Sequence, residues 1–143
     1  LDEDEYLETV VSGYTASGDI FIVNHDGIAE IIEINEKSQG GVSLADFNND
    51  GIDEIVISTE NNDMICMVDS VTGEIDTLLV AEDKFKTSTT VLDIDNQKII
   101  MAGSYDQNFY AINQNGDSIF TITVGDDISK DAYIALNRML QVT

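Results

Sequence analysis

Three segments of the sequence resemble one another at an almost constant spacing. They begin at Ile20, Ile65 and Phe109, which are 45 and 44 residues apart, and they read IFIVNHDGIAEI, ICMVDSVTGEI and FYAINQNGDSIF. Each is an apolar run, an Asn or Asp, a glycine turn and a second apolar run, which is the pattern of a β-hairpin. Self-similarity at a fixed period indicates a repeat architecture, so this feature limits the possible folds most.

Further β-like runs accompany each hairpin. ETVVS, EIVIS and KIIMAG stand directly before the three hairpins, and GVSLADF, TTVLDI and YIALNR each have the position of an opening strand. The repeat therefore consists of four short strands in roughly 45 residues, which is the size of a propeller blade. We predict an all-β protein built of four-stranded antiparallel β-propeller blades, with about three blades' worth of strands in the chain.

The repeat also divides the chain. We predict a single propeller segment over residues 1–143, with units at about 1–40, 41–86 and 87–131, and with 132–143 opening a fourth. The helix-like stretch DDISKDAYIALNRML falls where the repeat predicts a strand, and we follow the repeat. The predicted units contain three, four, four and one strands, so the first and last blades are incomplete. We therefore predict that the propeller is completed by the remaining blades of a longer chain or by other copies of this chain.

Charge excludes several kinds of partner. The chain has 28 acidic and 6 basic residues, for a net charge of −22. Such a balance argues against nucleic acid and anionic membranes, since phosphate binding needs clustered Lys and Arg. No apolar run approaches the ~20 residues of a membrane helix, so we predict no membrane insertion. The acidity fits either solubility in salt or cation binding, and it does not separate the two.

Two chemically versatile residue types occur once each. Cys66 lies in the apolar run MICMV and is expected to be a buried small hydrophobe, and His25 lies in the turn-like NHDG. One His and one Cys exclude a zinc site and a Cys/His nucleophile pair.

Oxygen-bearing side chains alternate in the loop ADFNNDGIDEIVIST, residues 45–59. They precede and follow Gly51, an arrangement that lets a backbone wrap a hard cation as in the first half of a calcium-binding EF-hand. We predict one Ca²⁺ bound by Asp46, Asn48, Asp50, the Ile52 carbonyl and Glu54. The loop is not an EF-hand, because Ile57 stands where the final Glu belongs and a strand follows. The alternative is an acidic turn in which Asp46 and Asp50 cap backbone amides.

These motifs resemble a known family. ADFNNDGIDEIVIS looks like the FG-GAP repeat, also called integrin-α-like or VCBS-type, in which such a loop joins the first two strands of a propeller blade and binds calcium. GSYDQNFYAINQNG, residues 103–116, looks like the hairpin of the same family. In the third unit VLDIDNQKII keeps Asp93 and Asp95 but lacks the glycine, so we expect no tight calcium site there. The first unit's LDEDEYLET has Tyr6 in the glycine position.

Two functions are compatible with the resemblance. The first is a calcium-stabilised extracellular or cell-surface module with a structural, adhesive or ligand-binding role, a protein or glycan as ligand, and no catalysis of its own. The alternative is part of a propeller enzyme of the polysaccharide lyase, glycosidase or quinone-dependent dehydrogenase type. No nucleophile-elbow, Walker-type or zincin motif occurs, and there is no Trp, so we expect no catalysis in this chain. Tyr105 and Tyr110 could line a sugar site, although aromatic residues on blade hairpins more often serve packing.

Overall fold

The computed structural model describes residues 6–15 and 18–129, which fold into three antiparallel sheets without a helix. The first sheet contains β1 (Thr9–Ser12), β2 (Ile20–Val23) and β3 (Ala29–Ile32). The second contains β4 (Ser43–Ala45), β5 (Glu54–Ser58), β6 (Met64–Val68) and β7 (Ile75–Val80). The third contains β8 (Thr90–Ile94), β9 (Gln97–Gly103), β10 (Asn108–Ile112) and β11 (Ser118–Thr123). The predicted all-β class and its four-stranded antiparallel blades are confirmed.

Each sheet is a meander in which consecutive strands pair as neighbours. The hairpins predicted from the repeat are β2–β3, β6–β7 and β10–β11, and Gly27, Gly73 and Gly116 in their turns all have positive φ. The predicted strand YIALNR lies outside the described residues, as does most of the helix-like stretch. The unit boundaries therefore remain a prediction. The described residues contain no helix long and apolar enough to cross a membrane.

Strand β5 shows why the apolar runs are continuous. All five of its residues are buried, because the second sheet is covered on both faces. Ile55 and Ile57 pack in a core cluster with Ile20 and Ile22 of the first sheet, while Val56 packs in a second cluster with residues of the third sheet. Successive side chains of a strand point to opposite faces, so one strand contributes to two cores. Stacked blades bury their strands in this way.

The second core joins the second and third sheets around Phe85, which is fully buried in the link between β7 and β8. The opening strands β4 and β8 also touch, and Ser43 Oγ donates to the Thr89 carbonyl oxygen at 2.6 Å. Apolar contact and hydrogen bonds together fix the second sheet against the third.

The meander places its connections at two opposite ends of the blades. The acidic end carries the β4–β5 loop (46–53) and the hairpin turns at 69–74 and 113–117. The lysine end carries the β5–β6 turn (59–63) and the link between β7 and β8 (81–89). Candidate sites at these two ends are therefore separated by the length of the strands.

Candidate functional site

At the acidic end, the loop predicted to bind calcium is closed by hydrogen bonds between its own residues. The Asp46 carboxylate accepts from the amides of Asp50 at 3.2 Å and Gly51 at 3.0 Å. Asn48 Oδ1 accepts from the Asp50 amide at 2.8 Å, and Asp50 Oδ1 accepts from the Ile52 amide at 2.8 Å. Asn49 and Gly51 have φ values of 61° and 93°, which lets the chain curl around these oxygens.

Glu54, the first residue of β5, accepts hydrogen bonds from the loop. It is 7% exposed and its Oε2 accepts from the Phe47 amide at 2.7 Å. Asn48 Nδ2 donates to Glu54 Oε1 at 2.8 Å and to Asp50 Oδ2 at 2.9 Å, so one amide links two carboxylates. The predicted ligand residues Asp46, Asn48, Asp50, Ile52 and Glu54 thus form one hydrogen-bonded network.

The donor set of this loop suits calcium in its chemistry, since it is made of carboxylate and amide oxygens. Among the described residues, however, no three carboxylate, His or Cys side chains are gathered closely enough to hold a metal ion. Asp46 and Asp50 instead cap backbone amides, as the alternative interpretation expects. An ionised carboxylate has about four lone-pair sites, so this capping leaves oxygens able to bind a cation. The calcium site stays a prediction.

A cleft of about 290 Å³ extends from the loop across the acidic end. Its walls combine Glu54 with Asp69, Glu74 and Asp76 from the second sheet, and amide side chains from the third. Ser70 Oγ donates to the Asp53 carbonyl oxygen at 2.8 Å and holds the loop against the β6–β7 turn. The cleft therefore widens the acidic region beyond the loop.

At the lysine end, positively charged and aromatic side chains lie together. We name the residues Tyr14, Lys37, Glu60, Lys84, Lys86 and Tyr105 the lysine surface. The Lys37 Nζ lies 4.4 Å from the Tyr14 ring centroid, and those of Lys84 and Lys86 lie 5.1 and 5.2 Å from the Tyr105 ring centroid. These distances are typical of cation–π contacts.

Two equivalent backbone hydrogen bonds hold the residues of this surface together. The Glu60 amide donates to the Lys37 carbonyl oxygen at 2.7 Å, and the Tyr105 amide donates to the Lys84 carbonyl oxygen at 3.0 Å. Sequence reasoning did not find this surface, because its residues are far apart in the chain. Tyr14, Glu60 and Tyr105 follow equivalent turn residues, but they stand six, five and four residues before the three hairpin segments, so the repeat spacing does not align them.

Of the other residues considered from the sequence, Tyr110 and Cys66 pack in the interior, whereas His25 is exposed. Tyr110 packs edge-on against Phe85, and burial and its hydrogen bond to Asp106 raise the pKa of Tyr110 to about 12. Burial raises the pKa of the Cys66 thiol to about 11, and Cys66 lies in the first core cluster as expected. His25 stacks on Tyr6 with ring centroids 4.0 Å apart.

Comparison with known proteins places this fold in a family. The family model described as the lambda-carrageenase beta-propeller domain matches residues 9–134, which include all three sheets. The chain belongs to this family. The match supports a β-propeller family without singling out the FG-GAP repeat.

A curated relative agrees with that assignment. The chain is 30% identical over 82 residues to the lambda-carrageenase of Pseudoalteromonas carrageenovora. The aligned region is 57% of this chain and 8% of that enzyme. The similarity therefore concerns one part of a much longer protein.

Proposed function

We propose that this chain is part of the propeller module of a polysaccharide-degrading enzyme that acts on carrageenan or a related polysaccharide. In this proposal the propeller binds polysaccharide and performs no catalysis itself. The observation that carries the proposal is the family match over residues 9–134, because it covers all three sheets. Extracellular or cell-surface localisation belongs to the same proposal, since an enzyme that degrades a large polysaccharide must meet it outside the cell.

Calcium is the second part of the proposal. Asp46, Asn48, Asp50, the Ile52 carbonyl and Glu54 would hold one Ca²⁺, which would offset two of the three carboxylate charges and fix the β4–β5 loop. Two observations support it: Gly51 has open space around it, and the ion pairs seen in the described residues involve Lys37, Lys86 and Lys98 rather than this loop. The resemblance of the loop to the FG-GAP repeat also supports the calcium proposal.

The test of the proposal measures binding and turnover together. The 143-residue chain is run by affinity electrophoresis in gels containing λ-carrageenan and is also incubated with the polysaccharide while reducing ends are counted. We expect retarded migration and no new reducing ends. The heat-unfolded chain, which has the same charge, is the control.

Two results would contradict the proposal in different ways. Migration equal to that of the unfolded control would remove the binding role. Reducing ends that disappear when a carboxylate is replaced would place catalysis within this chain.

A second candidate is a calcium-stabilised structural or adhesive module with a protein ligand or with other propeller blades as partners. The hydrogen-bonded acidic loop favours it, because such a loop stabilises a blade whatever the module binds. Calcium binding without affinity for any polysaccharide would select this candidate.

A further inference from the structure

The lysine surface is unexpected in a chain with a net charge of −22. The described part of the chain holds four lysines, Lys37, Lys84, Lys86 and Lys98, and three of them lie on this one surface. Such clustering is the electrostatic requirement for binding an anion, and it cannot be read from the net charge.

The charges on this surface are unequally balanced. Lys37 Nζ lies 2.9 Å from Glu60 Oε2 and Lys86 Nζ lies 3.5 Å from Glu60 Oε1, so two ammonium groups share one carboxylate. Glu60 Oε1 receives no hydrogen bond from the described residues, because the contact with Lys86 is an ion pair that is too long for one. Among these three side chains, two positive charges meet one negative charge.

Lys84 is in a different position. The positive charge of Lys84 opposes the rise in the pKa of Asp63 that burial, Asp83 and Asp106 cause. The charge of Lys84 is thus offset by carboxylates. Lys37 and Lys86 share the Glu60 carboxylate, and their side chains are 29% and 23% exposed.

A polar cleft adjoins Lys37. It has a volume of about 320 Å³ and is lined by Ser12, Tyr14, Ser38, Gln39 and Gly40. The hydroxyl of Tyr14 accepts a hydrogen bond from Gln39 Nε2, so its own proton can be donated to a ligand. Gln39 Oε1 is buried and has no hydrogen-bond partner among the described residues, so it offers an acceptor.

We propose that this cleft and the lysine surface form a carbohydrate-binding site for a sugar that carries an anionic substituent, a sulfate ester or a carboxylate. The sugar hydroxyls lie in the cleft, donate to Gln39 and accept from Tyr14. The anionic substituent lies between Lys37 and Lys86, where it supplies the second negative charge. The inference rests on the proposed function and assigns its polysaccharide to a place on this chain.

The experiment compares two substitutions on the lysine surface with a control substitution that removes the same charge elsewhere. Affinity for λ-carrageenan, polygalacturonate and neutral agarose is measured by affinity electrophoresis for the wild-type chain, Lys37→Gln, Lys86→Gln and the control Lys98→Gln. Lys98 pairs with Asp93 at 3.6 Å near the acidic end and loses the same charge. We expect Lys37→Gln and Lys86→Gln each to weaken binding of an anionic polysaccharide by about tenfold, and Lys98→Gln by less than about twofold. Melting temperatures within a few degrees of wild type establish that each variant is folded.

Each outcome decides the proposal. Loss with λ-carrageenan alone supports a sulfate ester as the bound group, and loss with polygalacturonate supports a carboxylate. Equal affinity of Lys37→Gln, Lys86→Gln and Lys98→Gln overturns the site but leaves the proposed function standing. A preference of the wild type for agarose overturns the anion requirement, and a wild type that binds none of the three overturns both proposals.

Discussion

At the residue scale, the acidic loop shows how far sequence reasoning reaches. Alternating oxygens around Gly51 predicted that Asp46, Asn48, Asp50 and Glu54 would act together, and the structure joins them in one hydrogen-bonded network. The spacing did not decide between a calcium site and an acidic turn with capped amides, because the outcome depends on side-chain rotamers and on the charge of whatever is bound.

The first residue-scale prediction separates calcium ligands from neighbours. Asp50→Ala is expected to abolish a single calcium site measured by calorimetry, while Asp53→Ala, which removes the same charge, leaves most of it. The reason is that Asp50 belongs to the hydrogen-bonded network and Asp53 contributes its backbone carbonyl to Ser70. Equal loss in both variants would show that only the total charge of the loop matters.

A second residue-scale prediction concerns Cys66 at high pH. Its folded-state pKa is raised from 9.0 to about 11, so the unfolded chain ionises first and stability falls as the pH rises from about 9 to 11. We expect the wild type to lose about 2–3 kcal/mol of unfolding free energy over this range beyond the loss shown by Cys66→Ala. Urea unfolding at pH 8 and 11 measures both, and parallel losses would contradict burial as the cause.

At the element scale, the strands were predictable and the contacts between sheets were not. The repeat placed the hairpins β2–β3, β6–β7 and β10–β11, because turn chemistry and apolar runs are local signals. The link from β7 to β8 gave no such signal, although it carries the buried Phe85 and two lysines of the lysine surface. Its role comes from packing against distant segments, which a pattern within one window does not record.

The element-scale prediction tests one such contact. Gly27 and Gly116 occupy equivalent hairpin turns, both with a φ of 82°. A Cβ on Gly116 would lie 2.2 Å from the Leu78 carbonyl oxygen of the second sheet, whereas a Cβ on Gly27 would meet nothing within 4 Å. Both Ala variants carry the cost of positive φ, roughly 1 kcal/mol. Gly116→Ala is expected to cost clearly more in thermal unfolding, and equal losses would mean that the second and third sheets do not meet there.

At the scale of the whole molecule, the two ends of the blades differ in chemistry. The acidic end gathers carboxylates around the β4–β5 loop and its cleft, while the lysine end gathers three of the four described lysines with two tyrosines. The strands hold these ends apart, so a cation that stabilises one end and a polysaccharide that binds the other would not compete. We infer that the two ends bind their ligands independently.

Hydrogen exchange measured by mass spectrometry tests that claim most directly. Calcium is expected to slow exchange in peptides covering residues 46–54, and λ-carrageenan in peptides covering 37–41 and 59–63, which contain part of the proposed cleft and the Glu60 amide that donates to the Lys37 carbonyl oxygen. Each ligand should leave the other end unchanged. Protection of residues 46–54 by the polysaccharide, with none at the lysine end, would contradict this separation of the two sites.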